Sequence, residues 1–178
     1  VARAVATSNS FGKSKDITIK ADSLKLSADT TGFRAQGIYA VGGKITIDAN
    51  TTIATSAQND SNGIYAGNGG IVTVNGDLDI KEDTKVSKYY ALNADDTGVI
   101  NVNIKDGKAG AGTVKLKGDI HTKSAESYDD WEDETTTSSS TVNLALQGKD
   151  SSWTGRSLYE AVSSGDDKTS YGSFNLWL

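Results

Sequence analysis

Six carboxylate side chains fall within the nine residues 126–134, on both sides of a tryptophan. Carboxylate oxygens are the ligands that Ca²⁺ prefers, and an exposed tryptophan beside charges could anchor a partner molecule. The segment has neither EF-hand spacing nor the glycine pattern of a calcium-binding repeat, and a run of Thr and Ser follows it. The sequence therefore predicts a solvated loop without metal or cofactor, which could bind a partner. The residues of that loop would be Glu126, Tyr128, Asp129, Asp130, Trp131 and Glu132.

Nucleophilic catalysis finds little support in the sequence. His121 is the only histidine, so a Ser-His-Asp triad would have to use it, and a site with several histidine ligands is excluded. Because it stands at the end of an alternating run, next to the acidic segment, we expect His121 to be an exposed surface residue. The absence of cysteine excludes a Cys nucleophile, a Cys-based zinc site and a disulfide scaffold.

Glycoside cleavage is the second reaction to consider. Enzymes that cleave polysaccharides use carboxylates along one strand face as acid, base or nucleophile. Asp77, Asp79 and Asp119 could be interpreted in this way. The chain has three arginines, and none stands at a repeat position that matches these aspartates. We therefore expect the aspartates to point outward into solvent, and we nominate no catalytic residue.

An internal sequence repeat predicts the strands on which these residues lie. The sequence GIYA at 37–40 returns at 63–66, and each copy leads through a glycine pair into an alternating run, ITI at 45–47 and VTV at 72–74. ITI at 17–19 and INV at 100–102 continue this pattern at intervals of 28 residues. Alternation over so few residues predicts short strands, each with one buried face.

The interval of 26 to 28 residues is typical of one turn of a solenoid, in which each strand pairs with its equivalent in the next turn. The sequence predicts an all-β fold: a right-handed, single-stranded parallel β-helix of about 5–6 rungs. Three columns of stacked side chains are expected. One holds Ile17, Ile45, Val72 and Ile100, the second Ile19, Ile47, Val74 and Val102, and the third Tyr39, Tyr65 and Tyr90. A β-sandwich is the alternative fold, although its strands need not resemble one another.

Charge and composition narrow the possible partners. The net charge is −5, and we find no segregated basic patch in the sequence, so a nucleic-acid partner is not expected. The apolar share of 36% suits a thin core extended along a rod better than a thick globular core. We divide the single solenoid into regular rungs at about 17–104, a loop insertion at about 121–141, and a C-terminal segment at about 142–178.

The C-terminal segment carries a family resemblance. KDSSWTG at 149–155, preceded by VNLALQG at 142–148, resembles a motif near the end of type V autotransporter passengers, and SFNLWL at 173–178 is similar to the strand that follows it there. The resemblance implies a β-helical passenger fragment of the pertactin-like or AIDA-like kind. Such passengers are secreted through a C-terminal outer-membrane β-barrel to the surface of a Gram-negative bacterium.

The resemblance also implies a function without catalysis. We expect a stem or adhesin segment that contributes to adhesion, to self-association between passengers and to passenger folding. The partner would be a host surface protein or glycan, or a second passenger. Trp153, Gly155 and Trp177 are assigned structural and folding roles, because Ser-Ser-Trp-Thr-Gly has the composition of a strand end followed by a turn. The alternatives are a β-helical polysaccharide-active enzyme and a glycan-binding module.

Overall fold

The protein is a parallel β-solenoid of about five turns, as a computed structural model shows. The structure describes residues 1–8, 15–82, 86–129, 134–164 and 168–178, with side chains in the same ranges except within 126–136 and 162–170. Among the described residues there is no helix, so none of the long apolar kind that crosses a membrane. The predicted solenoid is thereby confirmed, and the β-sandwich is excluded.

Each turn presents three strand faces around a common interior. Face 1 contains β1 (Ala2–Ser8), β3 (Arg34–Val41), β5 (Asp60–Gly67), β8 (Lys88–Asp95), β13 (Asp119–Lys123) and β18 (Ser157–Glu160). Face 2 contains the first halves of β2 (Ile17–Asp29) and β4 (Lys44–Ser56), followed by β6 (Ile71–Asn75), β9 (Val99–Val102), β16 (Thr141–Ala145) and β21 (Ser173–Trp177). Face 3 contains the second halves of β2 and β4, followed by β7 (Leu78–Lys81), β12 (Val114–Lys117) and β17 (Ser152–Thr154).

Within the described ranges, three antiparallel hairpins interrupt the later turns. They are β10 (Ile104–Lys105) with β11 (Lys108–Ala109), β14 (Ala125–Asp129) with β15 (Glu134–Ser138), and β19 (Val162–Ser164) with β20 (Lys168–Ser170). The second hairpin lies between β13 on face 1 and β16 on face 2. Because hairpins project from the rungs, the strands of each face keep their parallel pairing across insertions of different length.

Two of the predicted columns form the centre of face 2. Ile17, Ile45, Val72 and Ile100 are paired in register, and Val142 and Phe174 extend their column. The second column likewise runs from Ile19 to Val102 and continues through Leu144 and Leu176. Large side chains that are fully enclosed form the interior of all three faces: Ile38, Ile45, Ile47, Ile53, Ile64, Leu78, Ile80, Leu92, Ile100, Leu116, Ile120 and Leu144.

The third predicted column is only partly correct. Tyr39 pairs with Tyr65, but Tyr65 pairs with Asn93, whereas Tyr90 pairs with Asn62. The buried side chains decide the register between β5 and β8. In this register Ile64 pairs with Leu92, so aliphatic side chains stay stacked inside the solenoid.

Candidate functional site

The predicted acidic loop coincides with the hairpin β14–β15. The backbones of Glu126, Tyr128 and Asp129 lie in β14, while Asp130, Trp131 and Glu132 lie outside the described residues. At its base the hairpin is held to the solenoid, because Ser138 Oγ donates to Asp96 Oδ1 at 2.9 Å. In the part of the chain that the structure describes, no group of three or more His, Asp or Glu residues is arranged to hold a metal ion. The partner-binding role of this loop stays a prediction.

The three residues with predicted structural roles lie in the last turns. Trp153 is half-buried on β17, where its Nε1 donates to the carbonyl oxygen of Gly118 at 3.0 Å. A Cβ at Gly155 would come 2.9 Å from the same Nε1 and would overlap the Gly118 carbonyl. Trp177 is half-buried on β21, and its carbonyl oxygen accepts a hydrogen bond from the Leu146 N–H at 2.8 Å.

Asp77 and Asp119, two of the aspartates of the enzyme alternative, have structural partners. Asp77 Oδ1 accepts from the Thr113 N–H at 2.7 Å, at the turn before face 3. The expectation that no arginine matches these aspartates is wrong for Asp119: Arg156 Nη2 lies 2.6 Å from Asp119 Oδ2, and the Arg156 N–H also donates to Asp119 Oδ1. The hairpin β14–β15 lengthens the sequence interval between this pair, which is why the repeat spacing missed it. The hydrogen bonds from Arg156 hold the pKa of Asp119 below its ordinary value.

Hydrogen-bonded polar side chains cover the outer surface of face 1. Arg34 Nε donates to Asp60 Oδ2 at 2.7 Å, and Asn93 Nδ2 donates to Asn62 Oδ1 at 2.8 Å. His121 Nδ1 lies 2.9 Å from Asn93 Oδ1, which extends the array to the next strand. The array thus links side chains on neighbouring turns.

Stacked rings reinforce the same surface. Tyr39 and Tyr65 stack with ring centroids 5.2 Å apart, and the Arg3 guanidinium lies 3.7 Å from the centroid of Tyr39. Tyr90 stacks on His121 at 4.7 Å. Tyr65, Tyr90 and His121 line a depression of about 170 Å³ in which positive and negative side chains are present in equal number. Since the groups bond mostly to one another, face 1 is a neutral surface stabilised by its own side chains.

His121 contradicts the expectation of an exposed histidine. It is only 7% exposed, because β13 is a regular rung strand and the imidazole stacks against the Tyr90 ring beside Glu160. Burial lowers the pKa of His121, although the carboxylate of Glu160, 3.5 Å from Nε2, acts in the opposite direction. Lys88 and Asp95 also act on the imidazole, lowering and raising its pKa respectively.

This burial predicts an acid-sensitive contribution to stability. A folded-state pKa below the unfolded value means that the unfolded chain binds the proton first as pH falls below about 6.5. The contribution of neutral His121 is therefore complete above that pH and is lost as pH falls through the folded-state pKa. Between about pH 7.5 and 5.5, the urea midpoint of the wild type should fall more than that of His121→Gln, which cannot titrate. Equal falls would contradict this assignment.

The outer surface of face 3 holds a groove along the solenoid axis. Two adjoining depressions of about 440 and 330 Å³ share Asp79 and Lys115 as lining residues. Lys81 and Lys117 line the larger depression, together with Glu82. Lysine and carboxylate side chains thus line the groove in equal number, since Asp77 belongs to the smaller depression. The parallel pairing of β7 with β12 brings these charged residues together from positions more than 30 residues apart in sequence, and it places Lys115 opposite Asp79.

Comparisons with known proteins give no match. No family model matches the chain, and neither curated proteins nor solved structures show significant similarity to it. The fold and the residues on its three faces are thus the basis for interpreting the molecule.

Proposed function

We propose that this chain is a non-catalytic passenger segment of a type V autotransporter. It acts as a rigid stem and adhesin at the surface of a Gram-negative bacterium. The observation that carries the proposal is the parallel solenoid itself, whose rungs bond continuously along the axis through about five turns. Such a body gives length and stiffness with a thin core, as a stem requires.

The position of the resembling residues supports the same proposal. The segment VNLAL at 142–146 largely coincides with β16, Trp153 lies in β17, and SFNLW at 173–177 forms β21. These strands close the last turns on faces 2 and 3 and pair in parallel with the regular rungs. In the full-length protein this end of the solenoid would lead to an outer-membrane β-barrel.

The proposed partners are a host surface protein or glycan, or another passenger. Such contacts would spread over the long faces of the solenoid and over the hairpin β14–β15.

A polysaccharide-active enzyme has less support, because the carboxylates of Asp77 and Asp119 are bonded to Thr113 and Arg156. Release of reducing ends or unsaturated products from polysaccharides, with or without Ca²⁺, would favour the enzyme instead.

Surface display tests the stem and adhesin role. The chain would be fused ahead of an autotransporter β-barrel with its linker and expressed in a Gram-negative host. We expect an N-terminal tag to be accessible to antibody on intact cells, and we expect these cells to adhere to host cells or to sediment together. The same barrel without the solenoid is the control. Retention of the fusion in the periplasm would contradict the passenger assignment, whereas display without adhesion or sedimentation would contradict the adhesin role.

A further inference from the structure

The column of stacked rings on the outer surface of face 1 is interrupted between β5 and β8. Tyr39 on β3 stacks with Tyr65 on β5. Tyr90 on β8 stacks with His121 on β13. Between these two pairs, the register partner of Tyr65 is Asn93 instead of a third ring. The interruption coincides with the depression of about 170 Å³, which Tyr65 and Tyr90 line and Tyr39 does not.

One face of the Tyr65 ring is turned toward this depression. The ring centroids of Tyr39 and Tyr65 are 5.2 Å apart, and the two planes differ by 12°. Because neighbouring strands lie about 4.8 Å apart, the two rings must stack along the solenoid axis. Tyr39 therefore covers the face of Tyr65 that is turned to the preceding turn. The other face is turned toward β8, and the half-buried ring lines the depression there.

Amide side chains supply hydrogen-bonding groups in the same depression. Gln36 and Asn62 are 1% and 2% exposed, and both line it. Gln36 Oε1 accepts from Arg3 Nε at 2.9 Å, but the Gln36 amide nitrogen has no acceptor among the described residues. Asn93, which also lines the depression, uses one of its two N–H groups to donate to Asn62 Oδ1. Donors on Gln36 and Asn93 are thus available to a molecule in the depression.

The charges around the depression favour a neutral occupant. Its lysine and arginine side chains equal its carboxylates in number, and two of the three cations are paired with a carboxylate, as Arg34 is with Asp60 and Lys123 with Glu160. An ion of either sign would therefore gain little there. A neutral sugar unit fits this lining, because it has an apolar C–H face for an aromatic ring and hydroxyls that donate and accept hydrogen bonds.

We propose that the depression on face 1 binds one neutral sugar unit of a glycan. The C–H face of the sugar packs on the free face of Tyr65, and its hydroxyls accept hydrogen bonds from the amides of Gln36 and Asn93. The proposal deepens the adhesin role and rests on it, since it gives the proposed glycan partner a position and a chemical class.

Sugar binding by the purified chain tests the proposal. Saturation-transfer NMR is applied with neutral probes, namely glucose, galactose, mannose, N-acetylglucosamine and fucose, and with the charged probes galacturonate, sialic acid and glucosamine. We expect at least one neutral sugar to bind with a Kd on the order of 1 mM, and the charged sugars to bind more weakly. Because the occupant is neutral, its affinity should be the same at low and at high salt.

Two tyrosine variants locate the site. Tyr65→Ala removes the ring face in the depression, so we expect the affinity for the bound sugar to fall about tenfold. Tyr39→Ala is the matched control, because it removes the same stacked pair from outside the depression. Its affinity should stay within about threefold of the wild type. The urea midpoints of both variants should fall by similar amounts, which separates binding from stability.

A third variant tests the amide donor and does not depend on the folding of Tyr65→Ala. Gln36→Met has a side chain of similar size but no N–H group, so we expect the affinity to fall about fivefold. Its control is Arg3→Met, which breaks the same hydrogen bond to Gln36 from outside the depression. The affinity of this control should stay close to that of the wild type.

Three results would overturn the proposal. Equal losses of affinity in Tyr65→Ala and Tyr39→Ala, or in Gln36→Met and Arg3→Met, would show that the depression is not the site. Tighter binding of a charged sugar than of every neutral one would show an ionic site. Binding of no neutral sugar by the folded wild type would overturn the sugar site, even if cells that display the chain adhere. Sugar binding without such adhesion would support the site and contradict only the adhesin role.

Discussion

Replacing Gly98 by alanine is expected to destabilise the solenoid by about 3 kcal/mol, the upper part of the range for overpacked sites. Gly98 stands at the corner between faces 1 and 2, where its carbonyl oxygen accepts from the Thr141 N–H at 2.8 Å. A Cβ there would overlap the carbonyl group of Ala66 in the previous turn. Since the obstacle is backbone, it can yield only if the two turns separate. The midpoint of urea unfolding measures the loss.

Gly107 provides the matched control. It has a positive φ of 71°, and a Cβ added to it would meet nothing within 4 Å. Gly107→Ala should therefore cost only the left-handed backbone strain of a non-glycine residue, about 1 kcal/mol. If Gly98→Ala were no more destabilising than Gly107→Ala, close stacking of the turns would not be the reason for glycine at this corner.

The repeat predicted the fold because parallel stacking places like residues in register. Ile45 and Val72 must both fill the same interior column, so their equivalence was visible in the sequence. Val142 belongs to that column as well, but two hairpins separate it from Ile100 and enlarge the interval between them. Hairpins add residues without changing the column, and therefore hide the later rungs from a search for a fixed period.

The outer faces were harder to predict than the interior. Tyr90 looked equivalent to Tyr65 in the sequence. The inward pairing of Ile64 with Leu92 sets the register instead, and it places Asn93 next to Tyr65. Inward aliphatic residues can therefore repeat where their outward neighbours do not. The set of charged side chains along the face 3 groove depends in the same way on the register between β7 and β12. An outward residue contacts solvent, so packing restricts its type less, and its periodic signal in the sequence is weaker.

Replacing Trp153 by alanine is expected to cost about 3 kcal/mol, the lower end of the range for core aromatic residues, because Trp153 is half-buried against the core. Its register partner in the preceding turn is Leu116, and its ring meets that of Phe174 edge-on at 5.4 Å between centroids. Trp153 therefore closes the interior where face 3 approaches face 2. Loss of the indole would open a cavity against the last turns and remove the hydrogen bond to Gly118.

Two variants separate packing from hydrogen bonding and from the general loss of a tryptophan. Trp153→Phe keeps a ring but cannot donate to Gly118, so we expect a loss of about 1 kcal/mol. Trp177→Ala, on the half-buried strand β21, should also cost about 1 kcal/mol, the central value for single substitutions. Urea unfolding monitored by circular dichroism compares all three, because the signal does not depend on the number of tryptophans. Equal losses for Trp153→Ala and Trp177→Ala would show that Trp153 does not hold the last turns together, and would remove the structural role assigned to it.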